Sequence, residues 1–465
     1  MAAGQQDPGE SLLWKVLTLQ SHNTRLVILS ATLLGCASGM VGTFLLLRRR
    51  ALLGDALSHA TYPGVALAFL TMLLLGGDGK WLPGLLLGAA VTGVMGVVLV
   101  LAIRNTTRLK DDAAMGIVLG VFFGVGVSLM KLVSELPGSE AAGLNSFIYG
   151  SASSMVFSDF LLILFTTLLS VLLSVLLLKE FAILCFDENF AASQGWPTLL
   201  LDLVMLGLVT AVTVVGLQAV GLVLIIAFLI IPATAARFWT QDLRRMLLLS
   251  AMLGSVSGWI GSSLSALFTD FPTGAVIVLV AASLFLVSML MGSAGGVLPR
   301  ALRHRRLQRK VGRQHLLRAV YEILEGQQLE ASSQVRNLPI AREALLSHRS
   351  WSLPEVSRLL RTARSEDHLE EAGKGQIRLS EAGFGEASRV TRNHRLWELY
   401  LIRYADIAPS HVDRDADLVE HVLDAEVVDQ LESELEDRKP SLGVPPSPHL
   451  INQPGDGPTV GEARR

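Results

Sequence analysis

Long apolar runs separated by short polar loops fill the first two thirds of the chain. Each run has about the 20 residues that a helix needs to cross a bilayer. We predict nine such runs, near residues 26–47, 55–76, 82–103, 113–133, 158–179, 198–216, 218–236, 246–267 and 273–292. The sixth and seventh almost touch, so they could instead form one broken or re-entrant element. The pattern therefore predicts an all-α polytopic membrane region of eight or nine helices.

After residue 298 the pattern becomes that of a soluble, mainly helical domain. An amphipathic helix is predicted over 313–326, because its apolar residues recur at helical spacing. These residues are Leu316, Leu317, Val320, Ile323 and Leu324. Further helices are predicted near 340–347, 353–363, 385–404 and 413–436, and residues 373–383 are predicted to form a short β-wing followed by a helix start. The final stretch, 438–465, is rich in Pro and Gly and is expected to be a disordered tail.

Charge differs in density between these two parts. Residues 1–298 contain 14 Lys or Arg and 15 Asp or Glu, whereas the last 167 residues contain 25 and 26. This imbalance excludes a single soluble globule, a fibrous protein and a disordered chain. The two cysteines, Cys36 and Cys185, exclude a disulfide framework. The last 167 residues have no excess of positive charge, which is atypical of nucleic-acid-binding domains.

Basic residues in the short loops predict the orientation in the membrane. Clusters at 48–50, 104–110, 237–245 and 300–310 follow the first, third, seventh and ninth runs. Since basic loops face the cytoplasm, the N-terminus is expected outside and the C-terminal third inside. The first 25 residues show no pattern of a cleavable signal peptide.

Glycine pairs four residues apart occur within three of the apolar runs. These pairs are Gly35/Gly39, Gly120/Gly124 and Gly254/Gly258. Small residues at this spacing let helix backbones approach closely in lipid. We expect them to pack the helices into a compact bundle.

Ionisable residues inside an apolar run mark the strongest candidate site. Asp55 and His59 are four residues apart, which places both side chains on one helix face. A carboxylate beside an imidazole is a plausible ligand pair for Mn²⁺, Fe²⁺ or Zn²⁺. Pro63 and Gly64 follow and would break or kink the helix. Two alternatives remain open at this point: an Asp–His pair that only ties two helices together, or Asp55 as an N-cap at the membrane boundary.

The stretch GDALSHATYPGVALAFL at 54–70 resembles the signature helix of permease subunits of the zinc/manganese/iron-uptake ABC transporters. Three further segments resemble the same family, and they lie at 111–130, 186–196 and 218–240. The resemblance covers residues 25–295 and implies that Asp55 and His59 line the metal path. It also implies that FDENFAASQGW at 186–196 forms a coupling helix that docks on an ATPase subunit. The residues concerned are Phe186, Asp187, Glu188, Asn189, Phe190 and Gly195.

The sequence contains no Gly-x-x-x-x-Gly-Lys-Ser/Thr phosphate loop. We therefore expect the chain to be a transporter subunit rather than an enzyme, with ATP hydrolysis on a separate chain. The resemblance implies a separate ABC ATPase subunit, an extracytoplasmic metal-binding protein and a second permease subunit, in a homodimer or heterodimer within membrane lipid. No permanently bound cofactor is expected, and Mn, Fe or Zn is the cargo.

Residues 313–450 resemble metal-dependent repressors of the diphtheria-toxin-repressor and manganese-transport-regulator type. The resemblance lies in IRLSEAG at 377–383, RNHRLWELYL at 392–401 and DADLVEHVLDAEVVDQLE at 415–432. It implies a winged-helix-like part followed by a helical dimerisation part. The residues that match metal ligands are His394, Asp417, Glu420 and His421, with His315 in the first helix. Arg318, three residues beyond His315, stands where the family has a ligand. On the residues alone, the acidic run around Asp417 and Glu420 is better explained as a solvated helix face.

We therefore predict an N-terminal segment (1–25), a permease domain (26–296), a basic cytoplasmic linker (297–312), a regulator-like domain (313–437) and a disordered tail (438–465). The predicted function is the permease of an ATP-driven importer of Mn²⁺, then Fe²⁺ or Zn²⁺, in a bacterial inner membrane. The fused domain is expected to sense metal or dimerise rather than bind DNA. The alternatives are a membrane-anchored metal-responsive transcriptional regulator and a secondary metal transporter.

Overall fold

The computed structural model describes residues 22–48, 50, 52–77, 81–135, 155–268, 271–326, 338–349, 351–373, 375–404, 425–434 and 444–445.

The chain divides into two units, Met1–Arg300 and Ala301–Arg465. The first unit contains the helices α1 (His22–Leu47), α2 (Leu52–Ala60), α3 (Tyr62–Leu74), α4 (Leu82–Thr106), α5 (Asp111–Ser134), α6 (Phe157–Leu176), α7 (Leu178–Phe186), α8 (Glu188–Ser193), α9 (Thr198–Val220), α10 (Leu222–Arg237), α11 (Leu243–Leu267) and α12 (Thr273–Met291).

Eight helical stretches in the described part of the chain are long and apolar enough to cross a membrane. This confirms the prediction of an all-α polytopic region. The second stretch, Leu53–Leu74, comprises α2 and α3, which meet at Thr61 just before Pro63 and Gly64. The near-contiguous sixth and seventh runs are two separate helices, because Gly221 adopts a φ of +85° and ends α9. The second of them, α10, has only 16 residues.

The helix α1 lies at the centre of the bundle and packs against α11 through glycine. A Cβ atom on Gly254 would lie 2.0 Å from the Gly35 carbonyl oxygen, and one on Gly39 would lie 2.4 Å from that of Ser250. The two backbones are therefore in direct contact, as predicted for the first and third glycine pairs. The prediction was wrong for Gly120 and Gly124 on α5, since neither has a described neighbour within 4 Å of its added Cβ.

The second unit combines helices with a small sheet. Its elements are α13 (Val297–Gly326), β1 (Ile340–Ala341), α14 (Arg342–His348), α15 (Leu353–Ser365), β2 (Leu369–Gly373), β3 (Gln376–Leu379), α16 (Glu381–Tyr404) and α17 (Ala425–Glu434). The strands form an antiparallel sheet in the order β1-β3-β2. Helix-turn-helix elements followed by a β-hairpin are the arrangement of a winged helix, as predicted.

Several boundaries differ from the sequence prediction. The wing begins at Leu369 rather than 373, and Glu381 already belongs to α16. The predicted linker, 297–312, is the first half of the 30-residue helix α13. The predicted apolar face of 313–326 is buried in the core of this unit with Ile340, Leu360 and Ile377. Most of the predicted tail and residues 413–424 lie outside the described residues.

Candidate metal path and coupling site

Asp55 and His59 lie one turn apart on α2 and face each other. The Nε2 atom of His59 is 3.3 Å from Oδ1 of Asp55, and the side chains are 17% and 34% exposed, respectively. The Nδ1 atom of His59 is buried and has no hydrogen-bond partner among the described residues. The pair therefore combines a half-buried carboxylate with an imidazole whose Nδ1 atom forms no hydrogen bond among the described residues.

The position of this pair decides between the alternatives left open by the sequence. Asp55 is the fourth residue of α2, so it is not an N-cap. The contact between Asp55 and His59 lies within one helix, so it does not tie two helices together. On α5, the ring of Phe123 packs edge-on against His59 with the centroids 4.7 Å apart. Residues Leu53, Ala56 and Ala60 bury the opposite side of α2.

The separation of the two ligand atoms fits a shared metal ion. Two ligands about 2.1 Å from one ion, at angles of about 90–110°, are about 3.0–3.4 Å apart. The 3.3 Å between His59 and Asp55 falls within this range. No group of three or more His, Cys, Asp or Glu side chains that could hold a metal occurs in the part of the chain described. The arrangement therefore suits brief contact with a passing ion better than tight binding.

The predicted coupling segment contains the short helix α8. Asp187 caps it, since its Oδ1 accepts a hydrogen bond from the Phe190 backbone N–H at 2.9 Å. Gly195 follows with a φ of +80°, a conformation that favours glycine. Phe186 and Phe190 are 71% and 52% exposed, and Asn189 is exposed as well. The segment therefore presents an apolar surface that no element covers among the described residues of its unit.

A cluster of six charged residues connects α8 to the ends of four other membrane helices. Glu188 on α8 accepts hydrogen bonds from Arg104 at 2.7 Å and from Arg48 at 3.2 Å. Arg50 donates to Asp202 at 2.9 Å and, through Nε, to Asp111 at 3.0 Å. We call this group the ionic cluster, and its members are Arg48, Arg50, Arg104, Asp111, Glu188 and Asp202. Its three positive and three negative charges balance.

Burial makes the ionic cluster sensitive to the loss of any one of its charges. The side chains of Arg48, Arg50 and Asp202 are each no more than 6% exposed. Burial alone would raise the pKa of Glu188, but the hydrogen bond from Arg104 and the nearby arginine charges outweigh it and lower that pKa. Glu188 therefore stays ionised at neutral pH and under mildly acidic conditions. Removing one partner of a buried pair leaves an uncompensated charge, which typically costs about 3–5 kcal/mol.

In the sequence, Arg48, Arg50 and Arg104 indicate only the orientation of the chain in the membrane. The structure shows that they also organise the membrane edge next to the coupling segment. A signal was available, since Asp111 and Asp202 occur at or near the start of apolar runs. The pairing of these two carboxylates with the arginines could not be predicted, because it joins positions up to 154 residues apart.

The predicted ligands of the second unit lie beside arginines. The His394 Nδ1 atom forms a hydrogen bond with the guanidinium of Arg318. The His315 Nδ1 atom lies 2.7 Å from Nη1 of Arg349. The structure does not bring His315 and His394 into one group with other potential ligands among the described residues. Asp417, Glu420 and His421 lie outside those residues.

Comparison with known proteins agrees with this architecture. The chain is 36% identical to the "Manganese transport system membrane protein MntC" of Bacillus subtilis over 87% of its own length and 89% of that protein's. It is 44% identical to the "Zinc transport system membrane protein TroC" of Treponema pallidum over 60% of this chain and 93% of that protein. A solved structure, "PsaBC from Streptococcus pneumoniae in complex with Fab", contains a chain that is 28% identical, with a TM-score of 0.53 over 63% of this chain and 99% of that chain.

Two families match separate parts of the sequence. Residues 380–443 match the metal binding and dimerisation domain of iron dependent repressors. Residues 20–292, more than half of the chain, match the ABC 3 transport family. The chain is therefore a membrane permease of the ABC 3 transport family, with a repressor-type domain fused to its C-terminal side.

Proposed function

We propose that the chain is the permease subunit of an ATP-driven importer of divalent transition metals, with Mn²⁺ favoured and Zn²⁺ or Fe²⁺ as alternatives. The observation that carries this proposal is the Asp55–His59 pair within a membrane helix of an ABC permease. Carboxylate and imidazole ligands suit Mn²⁺, Fe²⁺ and Zn²⁺. The names of the relatives, which specify manganese and zinc, support this cargo class.

The two-ligand geometry suits conduction. An ion must bind well enough to enter the path but weakly enough to leave it. Asp55 and His59 would replace part of the hydration shell, and water would supply the remaining ligands. The edge of Phe123 beside His59 would limit how many waters accompany the ion at that point.

Energy would come from a separate ATPase subunit that docks on the segment from Phe186 to Gly195. Its exposed Phe186, Asn189 and Phe190 provide a surface for this partner, and Asp187 and Gly195 fix its two ends. Glu188 would pass the displacement of α8 to the bundle, because the ionic cluster joins it to Arg48 and Arg104. No phosphate loop occurs in the chain itself.

We infer from the basic loops that this segment and the fused domain lie in the cytoplasm. Basic residues at Arg237, Arg244 and Arg245 require α10 to return the chain to that side. Its 16 residues rise about 24 Å, so with its flanking residues α10 can cross most of a hydrocarbon core of about 30 Å. An extracytoplasmic metal-binding protein, a second permease subunit and surrounding lipid of a bacterial inner membrane would complete the transporter.

Uptake of radiolabelled Mn²⁺, Zn²⁺ and Fe²⁺ by the reconstituted complex tests the proposal. The permease would be placed in proteoliposomes with an ABC ATPase subunit and an extracytoplasmic metal-binding protein from the same organism. We expect ATP-dependent uptake with Mn²⁺ preferred. Uptake that persists without the ATPase would instead indicate a secondary transporter, and a lack of uptake of all three ions would refute the metal cargo.

The wing of the second unit argues against a primary role in DNA binding. Arg378 on the wing is paired with Glu370 at 2.7 Å, and Arg364 on α15 is paired with Glu371 at 3.3 Å. Arg342 also reaches Glu371. Arginines that are held by neighbouring carboxylates are poorly placed to contact phosphates. A tight, sequence-specific DNA complex formed by the purified full chain would favour the regulator alternative.

A further inference from the structure

A buried guanidinium lies inside the second unit. Arg318 on α13 is 1% exposed, although arginine is among the residues least often buried. Its Nε lies 3.2 Å from Oε1 of Glu322, one turn along the same helix. Its Nη1 forms a hydrogen bond with Nδ1 of His394 on α16. One cation thus connects a carboxylate of one helix to an imidazole of another.

His394 has both ring nitrogens engaged within this group. Its Nε2 lies 3.2 Å from Oε1 of Glu398, while its Nδ1 faces Arg318. His394 and Glu398 are 1% and 0% exposed. Glu322 is also bonded, since His348 Nε2 lies 2.9 Å from its Oε2. The group therefore places the carboxylate of Glu322 and the imidazole of His394 against a central positive charge, with Glu398 on the far side of His394.

These residues do not fit a metal ion as they stand. A histidine binds metal through the lone pair of one nitrogen while the other is oriented by a second partner. Here the nitrogen not engaged by Glu398 is occupied by a guanidinium, which remains positively charged at any physiological pH. A divalent cation at that nitrogen would meet direct charge repulsion. The second histidine implied as a ligand, His315, faces Arg349 in the same way.

We propose that Arg318 is a built-in cation that takes the place of the metal implied for this repressor-type domain. The guanidinium satisfies Glu322 and His394 and holds α13 against α16 continuously. The fused domain then keeps its internal arrangement whether the surrounding metal concentration is high or low. This inference concerns the second unit only and is independent of what the membrane unit transports.

Hydrogen exchange of the full chain in lipid nanodiscs tests this proposal directly. Peptides covering 311–326 and 381–404 would be compared without metal, with Mn²⁺ alone and with Zn²⁺ alone. We expect the same exchange rates in all three conditions. Slower exchange of these peptides with either ion would overturn the proposal, because it would show that metal still stabilises the α13–α16 contact.

A pair of variants tests the role of the charge itself. Arg318→Met keeps a long apolar side chain but removes the cation that faces Glu322 and His394. We expect exchange in both peptides to become faster by on the order of 100-fold. Arg361→Met, at an exposed position of α15, is the matched control and should leave both peptides unchanged. If Arg318→Met exchanged as slowly as the native chain, the built-in cation would be refuted. If it failed to fold, the metal comparison on the native chain would still decide.

Discussion

Ionisable side chains within a membrane helix are costly, and their position therefore carries information about function. Asp55 and His59 lie where two short helices, α2 and α3, replace one continuous span. The helix orients both toward one point without help from a distant residue. For this reason the spacing of Asp55 and His59 in the sequence was enough to predict that their side chains face each other.

Replacing either ligand should stop transport but not assembly. Asp55→Ala and His59→Ala each remove one of two ligands, so we expect uptake to fall by at least about tenfold. The measurement is ATP-dependent Mn²⁺ uptake, together with co-purification of the ATPase. Ser58→Ala is the control, because the Ser58 hydroxyl only donates to the Gly54 carbonyl of its own helix. Normal uptake by both ligand variants would remove Asp55 and His59 from the path.

Other contacts described above could not be predicted from the sequence. Arg50 and Asp202 are 152 positions apart, and their pairing depends on how α9 packs beside the end of α1. Arg318 could be identified as a departure from the family pattern. Its enclosure by Glu322 and His394 is visible only once α13 and α16 are packed together. Local spacing predicts contacts within a helix, whereas contacts between helices require the fold.

At the scale of elements, α8 is a short helix that is held in place at several points. It has six residues, too few to be stable alone in water. The Asp187 cap, the Gly195 turn and the pairing of Glu188 hold it in place. A helix that is held at both ends and on one face can transmit a displacement caused by a partner without unfolding.

Weakening that connection should uncouple ATP hydrolysis from transport. Glu188→Gln removes the charge that Arg48 and Arg104 share. Loss of charge-assisted hydrogen bonds corresponds to about a tenfold change or more, so we expect the metal transported per ATP hydrolysed to fall about tenfold, while the ATPase still binds. Asp112→Asn, an exposed neighbour at the same membrane edge, should behave like the native chain. An unchanged ratio in Glu188→Gln would show that the pairing has no part in coupling.

The glycines of α11 and α5 differ in how closely other atoms approach them. Gly254→Ala would place a Cβ 2.0 Å from the Gly35 carbonyl oxygen, and the backbone cannot give way. We expect it to destabilise the bundle by about 1–3 kcal/mol, as overpacking does. Thermal unfolding in detergent measures this loss. Gly124→Ala has open space around it and should not lower the unfolding temperature. Equal effects of the two substitutions would contradict the packing described here.

Helix existence was predictable, whereas helix boundaries and breaks were only partly so. Apolar runs located all eight long spans because a bilayer requires continuous hydrophobicity. The division of the sixth and seventh runs depends on Gly221, whose positive φ a hydropathy pattern does not reveal. The wing was placed late because β2 does not show the alternation of buried and exposed residues that β3 shows.

At the scale of the whole molecule, two different families match the two units. The Treponema pallidum relative matches 60% of this chain and 93% of its own length, so it is a membrane protein of permease size. The Bacillus subtilis relative extends over 87% of this chain and includes part of the fused region. The membrane unit is therefore found in relatives of both lengths.

Removing the fused domain should leave a working membrane unit. A chain shortened to residues 1–296 ends before α13 begins at Val297 and keeps α1 to α12 intact. Because separate domains fold on their own, we expect uptake per molecule within about twofold of the full chain. Metal uptake normalised to the amount of inserted protein measures this. A much lower value would show that the fused domain takes part in transport itself.

The glycine contacts between α1 and α11 also bear on how the molecule changes shape. The backbones touch directly at Gly35 and Gly254, and at Gly39 the Ser250 hydroxyl donates a hydrogen bond to the carbonyl oxygen at 2.6 Å, which fixes the contact further. The two helices should therefore travel as one rigid body during alternating access. Spin labels on α1 and α11 would then report one constant separation in the ATP-bound and ATP-free states. Bending would instead be confined to the interruptions at Thr61 and Gly221, which become the hinges of the transport cycle.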